Sequence, residues 1–172
     1  MNEIDRNTKK AWISAIPLLI ILGTIYYFSA QNADTSSQLS GGIVEELARF
    51  IAARLPFLGD MSSPKTIKTL TVIVRKTAHF CEYAFLAFLC CLHVYYCGRK
   101  HIVLLSGSFG AAYAVSDELH QLFSEGRAAR LLDVCIDTAG AFTGALVMLL
   151  LIWAAHKIKE KKADRADHSG QV

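Results

Sequence analysis

Four stretches of this 172-residue chain lack aspartate, glutamate, lysine and arginine altogether: residues 18–28, 84–97, 102–115 and 145–155. A water-soluble domain of this length alternates apolar and polar faces throughout, so these gaps exclude that class and require lipid or a buried bundle. Cysteine is present without a pattern. Cys81, Cys90, Cys91, Cys97 and Cys135 form no CxxC and lie in or beside the apolar stretches, where cysteine behaves as a small hydrophobe; neither zinc nor a disulfide framework is expected. No phosphate-cradling glycine loop, HExxH or nucleophile elbow occurs. The net charge of +3 is not arranged as a basic face with interleaved aromatics, so nucleic acid is excluded as an expected partner.

What is there is a composition 53% hydrophobic, with the charges gathered in short blocks between the apolar stretches. Basic residues precede the first stretch as in a signal peptide, but Phe28-Ser29-Ala30-Gln31 offers no small-x-small cleavage site. The first crossing is therefore expected over residues 12–29, with Pro17 near its first turns. Residues 31–42 are polar and rich in serine and glycine. After them Ile43, Val44, Leu47, Phe50, Ile51 and Leu55 recur at helical spacing opposite Glu45, Glu46, Arg49 and Arg54, an amphipathic helix for the membrane surface that Pro56 ends.

Ser63-Pro64 is a capping residue followed by proline at the first helical position, and the pattern continues as one helix to Cys97. Residues 84–97 alone would rise about 21 Å, short of a hydrocarbon core of about 30 Å, so the crossing must include the turns carrying Lys76, His79 and Glu82. The third crossing likewise needs Ser116, Asp117, Glu118, His120 and Gln121. The fourth must reach back from Ala145 through Gly140 and Asp137 towards Asp133. Each of these three helices has one polar end.

The expected fold is all-α: an integral membrane bundle of four transmembrane helices with an additional extracytoplasmic amphipathic surface helix at about residues 43–55. Arg6, Lys9 and Lys10 precede the first crossing, Arg99 and Lys100 fill the turn between the second and third, and Lys157, Lys159, Lys161, Lys162 and Arg165 follow the fourth. The positive-inside rule makes that side cytoplasmic. The organisation is thus a cytoplasmic segment at residues 1–10, a membrane domain at 11–155 containing an extracytoplasmic loop at 31–71, and a charged cytoplasmic tail at 156–172. The chain is placed in the cytoplasmic membrane with both termini inside, and its polar helix ends outside.

Those ends form a constellation. Lys76, His79 and Tyr83 share a helix face, with Glu82 on an adjoining row. Asp117 and Gln121 are paired i, i+4, as are Asp133 and Asp137, and the connecting loop adds Arg127 and Arg130, whose guanidinium groups suit phosphate or carboxylate. A structural alternative is that the charges only pair, Lys76 with Glu82 or Arg127 with Asp133. An unpaired acid at the bilayer centre costs roughly 2.5–3.5 kcal/mol, which is expensive for a simple staple. Gly140 and Gly144 form a GxxxG, a signal for close helix packing.

Four blocks in order, Phe28-Ser29-Ala30-Gln31, Lys76-Thr77-Ala78-His79-Phe80-Cys81-Glu82-Tyr83, Asp117-Glu118-Leu119-His120-Gln121-Leu122-Phe123, and Gly126-Arg127 through Asp133, Asp137, Gly140 and Gly144, resemble the VanZ-like family over about residues 12–153. The family is named for an accessory protein of glycopeptide-resistance clusters that raises resistance to the lipid-tailed antibiotic teicoplanin. The resemblance implies a compact membrane domain and brings no established reaction. Carried over by position, the pattern residues are Ser29, Gln31, Lys76, His79, Glu82, Tyr83, Asp117, Glu118, Gln121, Phe123, Arg127, Asp133 and Asp137; the last is often Asn in the family.

Two functions from different classes follow. In one, an anionic lipid-linked cell-envelope molecule is held at the outer leaflet, with His79 as acid/base and Glu82, Asp117 and Asp133 orienting it or binding a divalent cation; Lys76, Arg127 and Arg130 hold phosphate, and Gln31, Tyr83, Glu118, Gln121 and Asp137 complete the binding residues. In the other, the protein is no enzyme and blocks insertion of the antibiotic by binding it or lipid. The expected partners are membrane lipids and a lipid-linked cell-wall precursor or lipoglycopeptide. The sequence identifies no cofactor, and no residue is assigned as a dedicated metal ligand.

Overall fold

A computed structural model describes residues 3–31, 33–54, 63–123 and 130–169. Every regular element within them is a helix: α1 (Glu3–Ser29), α2 (Ala33–Arg54), α3 (Pro64–Tyr96), α4 (Ile102–Gln121) and α5 (Leu131–Ser169). Among the described residues three helices are long and apolar enough to cross a membrane, through Asn7–Ser29, Pro64–Tyr96 and Leu131–Arg165. The fourth expected crossing, α4, is not among them, because its serines, its glycines and the acids of its last turns dilute its 20 residues. Apolar side chains point outward as well as inward. Leu19, Ile20, Leu104 and Leu150 are each more than half exposed, which suits helices that meet lipid on one side and protein on the other.

The start of α3 follows from its sequence. Ser63 is extended and its Oγ accepts the Thr66 N–H at 3.2 Å, satisfying one donor of the first turn, while Pro64 needs no partner for the N–H it lacks. Its 33 residues rise about 50 Å, well beyond a bilayer core. The helix stops at Gly98, whose φ of +69° lets the Gly98 N–H turn back to the Tyr95 carbonyl. A tight reversal follows, and α4 returns antiparallel alongside α3, with Ala87 facing Gly110 and Tyr83 facing Tyr113.

The α3 helix contacts all four others. Its pairing with α5 is parallel, because Gly140 sits on the Phe80 carbonyl and Gly144 on the Ala84 carbonyl one turn later; any Cβ at either glycine would overlap that backbone. The GxxxG is thus the seam of the bundle. The core around it holds Ile25, Tyr83, Leu86, Ala87, Cys91, Ala114, Ala141, Ala145 and Met148. α1 runs antiparallel to α3. Ser14 Oγ meets His93 Nδ1 at 3.1 Å, and Lys10 lies over the Tyr96 ring. At the same end Tyr95 Oη and His156 Nε2 are 2.8 Å apart, so the basic flanks of α1 and α5 and the Arg99-Lys100 turn lie together.

The amphipathic segment is longer than its apolar pattern. α2 begins at Ala33, so the polar residues expected to link the first crossing to it are largely helical. It packs on α3, burying Val44 and Ala48 and leaving Ile43 and Phe50 exposed. Leu55 and Pro56, expected to end it, lie outside the described residues. The charged tail is helical as far as Ser169.

Candidate functional site

The end of the bundle opposite the basic flanks is where α3, α4 and α5 present their polar turns. The glycine seam sets their level: with Gly140 on Phe80, Asp137 falls one turn earlier on α5 beside His79 on α3, and Asp133 falls beside Lys76. The antiparallel return of α4 brings Asp117 to the same level.

At the centre, one ligand-capable atom from each of His79, Asp117 and Asp137 lies within 4.8 Å of the other two. Asp137 is 1% exposed and its Oδ1 has no hydrogen-bond partner among the described residues. Asp117, 6% exposed, accepts from Gln121 Nε2 at 3.1 Å through its Oδ2. Tyr83 is fully buried beside both acids. Two ionised carboxylates about 5 Å apart repel by about 3 kcal/mol at an effective dielectric near 20, and neither Gln121 nor Tyr83 supplies a positive charge to offset that.

Around the centre the groups pair. Lys76 and Asp133 form a partly buried ion pair between α3 and α5, in place of the Lys76–Glu82 pairing considered above. Glu82 turns instead to His79, with Oε2 3.9 Å from Nδ1. Glu118, 5% exposed, accepts the Arg130 N–H at 2.9 Å and so ties the end of α4 to the start of α5. The side chain of Arg130 is exposed, and Arg127 lies outside the described residues. Gln31 closes α1 half-exposed, and no hydrogen bond among the described residues joins its side chain to the centre. The acids act on one another at a distance: Asp137 is in electrostatic range of Asp117, Asp133, Glu118 and Glu82.

A family model described as VanZ/LLP1 matches residues 14–153. The chain belongs to the VanZ/LLP1 family. No curated protein and no solved structure matches it. The VanZ/LLP1 match spans α1 through most of α5, so the polar centre and the glycine seam both lie inside the family region. With its apolar helices, this is a VanZ-like membrane protein.

Of the VanZ/LLP1 pattern residues, Lys76, His79, Glu82, Tyr83, Asp117, Glu118, Gln121, Asp133 and Asp137 gather at one end of the bundle. Their grouping differs from the roles expected. It is Asp137, not Asp133, that shares the centre with His79 and Asp117, because Asp133 is engaged by Lys76.

Two further residues belong to the neighbourhood. Arg75 is half-buried and in range of Glu118; the Arg75-Lys76 doublet at the edge of an otherwise apolar helix was its signal in the sequence. Tyr113 donates to the Leu22 carbonyl at 2.9 Å and packs 6.3 Å from the Tyr83 ring, locking α1 against the back of the site. A tyrosine inside an apolar stretch carries no such signal. Chemically, the arrangement offers an imidazole next to carboxylates in a water-poor setting, suited to proton transfer or to binding a cation.

Proposed function

We propose that this VanZ/LLP1 protein acts on, or binds, an anionic lipid-linked cell-envelope molecule at the outer face of the cytoplasmic membrane, and so contributes to resistance to lipoglycopeptides such as teicoplanin. In this reading α4 is a fourth crossing, α2 lies on the outer surface and both termini are cytoplasmic. The gathering of the basic flanks at one end of the bundle supports the orientation by the positive-inside rule, and the length of α4, about 30 Å, supports the crossing.

The observation that carries the proposal is the meeting of His79, Asp117 and Asp137 from three helices at the other end. A charged cluster retained within membrane helices is a functional site by default, since each unpaired member costs insertion energy. His79 is the acid/base or, with the neighbouring acids, a ligand to a cation, and Glu82 orients it. Arg130 and Arg127 are the cations left to hold phosphate once Lys76 pairs with Asp133, and Gln31, Tyr83, Glu118 and Gln121 complete the binding residues. The test is mass spectrometry of lipids co-purified with wild type and Arg127→Ala. A phosphate-bearing lipid enriched over bulk membrane and lost from the variant is expected; identical bulk profiles would sink the reading.

One feature favours a non-enzymatic alternative. Ile43 and Phe50 stand exposed on α2 beside its buried Val44–Ala48 face, an apolar ridge suited to the membrane surface where lipid-tailed antibiotics insert. If that ridge carries the function, scrambling residues 43–55 at constant composition abolishes teicoplanin resistance, while His79→Ala at normal expression leaves it intact. The reverse result supports the polar centre.

A further inference from the structure

The proposed anionic ligand meets an electrostatic difficulty at its own site. The centre presents Asp117 and Asp137, backed by Glu82 and Glu118, whereas Lys76 is already taken by Asp133. A phosphate approaching His79 would face carboxylates first. A cation between the two removes the conflict.

We propose that His79, Asp117 and Asp137 bind one divalent transition-metal ion, zinc or manganese, which neutralises the buried acids and presents an open position to the phosphate of the lipid. The inference rests on the reading of this pocket as a ligand site and adds the ion that makes an anionic ligand compatible with it.

Three observations carry it. The donor set is one imidazole and two carboxylates from three different helices, the mixture that borderline divalent ions accept. The donor atoms lie within 4.8 Å of one another; tetrahedral ligands at about 2.0–2.2 Å from an ion stand about 3.3–3.6 Å apart, so an approach of no more than about 1.5 Å closes the site. Besides the clustering, Asp137 is an almost fully buried carboxylate with an oxygen, Oδ1, that no described group satisfies, and the carboxylate that carries it has an oxygen within 4.8 Å of the His79 and Asp117 donors. Buried charges in proteins are paired or coordinate metals.

The surrounding residues match the outer shell such a site needs. Metal-bound histidines commonly donate their second nitrogen to a carboxylate, which fixes the ring and raises its basicity. Glu82 stands 3.9 Å from His79 Nδ1, so in the proposed site Nε2 ligates and Nδ1 donates to Glu82. Gln121 holds Asp117 by Oδ2 at 3.1 Å, and in the proposed site Oδ1 is the ligating oxygen. Glu82 and Gln121 are positioning residues. His79, Asp117 and Asp137 are the ligands, and three protein ligands leave a fourth position for water or phosphate.

The test uses the full chain in detergent, with any affinity tag removed and the preparation stripped by chelator, titrated with zinc or manganese chloride in the absence of added lipid. One equivalent per chain is expected to survive desalting. Asp137→Asn and His79→Gln should each weaken binding by at least ~10-fold, and Glu82→Gln by about 10-fold through the imidazole alone. Cobalt(II) substituted into wild type should show tetrahedral absorption bands with nitrogen coordination, a readout that needs no variant to fold. Failure of wild type to retain an ion, equal affinity in Asp137→Asn, or an oxygen-only octahedral cobalt spectrum would each overturn the site. Lipid retention in the chelated protein separates the two proposals: lipid bound without metal removes the bridging ion and leaves the lipid reading standing, whereas metal bound with no enriched lipid removes the lipid reading and leaves the metal site.

Discussion

Gly140 of α5 lies against the main-chain carbonyl of Phe80 on α3, with no room for a side chain between them. This contact and its repeat one turn on, Gly144 against Ala84, set the separation and the level of the two parallel helices, and through them the height at which Asp137 meets His79.

Replacement of Gly140 by alanine should therefore destabilise the protein by about 1–3 kcal/mol, since the added methyl overlaps backbone that can yield only by helix displacement. Gly23, in α1, has open space where a Cβ would go, and its replacement by alanine should be neutral or stabilising by up to about 1 kcal/mol. Thermal unfolding in detergent compares the two. Equal effects would show that the seam does not hold the helices together.

The Lys76–Asp133 pair should behave as a unit. Removing either charge strands the other in a partly buried setting, whereas removing both relieves that cost. Lys76→Met and Asp133→Leu are each expected to lower stability, and the double variant by less than the sum of the two, with a coupling of about 1–3 kcal/mol in a double-mutant cycle. Strict additivity would mean that the two side chains are solvated separately.

Glu118 holds the start of α5 by accepting the Arg130 N–H. Loss of a hydrogen bond to a charged acceptor costs about 1.5–3 kcal/mol, the decrease expected for Glu118→Ala. Glu118→Gln keeps an acceptor and sheds the repulsion of Asp117 and Asp133, so it should stay near wild type. Hydrogen exchange at residues 130–134 provides the local measure, with faster exchange in the alanine variant alone. Similar exchange in both would remove Glu118 from this role.

Tyr113→Phe deletes the hydroxyl that reaches the Leu22 carbonyl while leaving the ring on Tyr83. Because that carbonyl also lies within the α1 helix, the expected cost is modest, about 0.5–1.5 kcal/mol. Disulfide trapping between cysteines introduced on α1 and α4 should slow if the bond holds the helices in place; an unchanged rate and melting temperature would assign the hydroxyl no fastening role.

The sequence alone carried the helical class, the long apolar helices and the identity of most polar residues at the shared end. Those readings rest on local physics: helical spacing of apolar side chains, the capping geometry of Ser63 and Pro64, and the length a helix needs to match a bilayer. The GxxxG spacing also marked a close approach, though not its partner. Tertiary structure decided what the polar residues do for one another. Glu82 is an acid on the same helix as Lys76, but six residues on it lies on a different face and pairs with His79 at i, i+3, while the parallel register of α3 and α5 gives Lys76 Asp133. The same register leaves Asp137 with His79 and Asp117, and a one-turn slide along the glycine seam would exchange the two acids. Such a choice depends on where the backbones of distant helices touch, which no spacing within a single helix encodes.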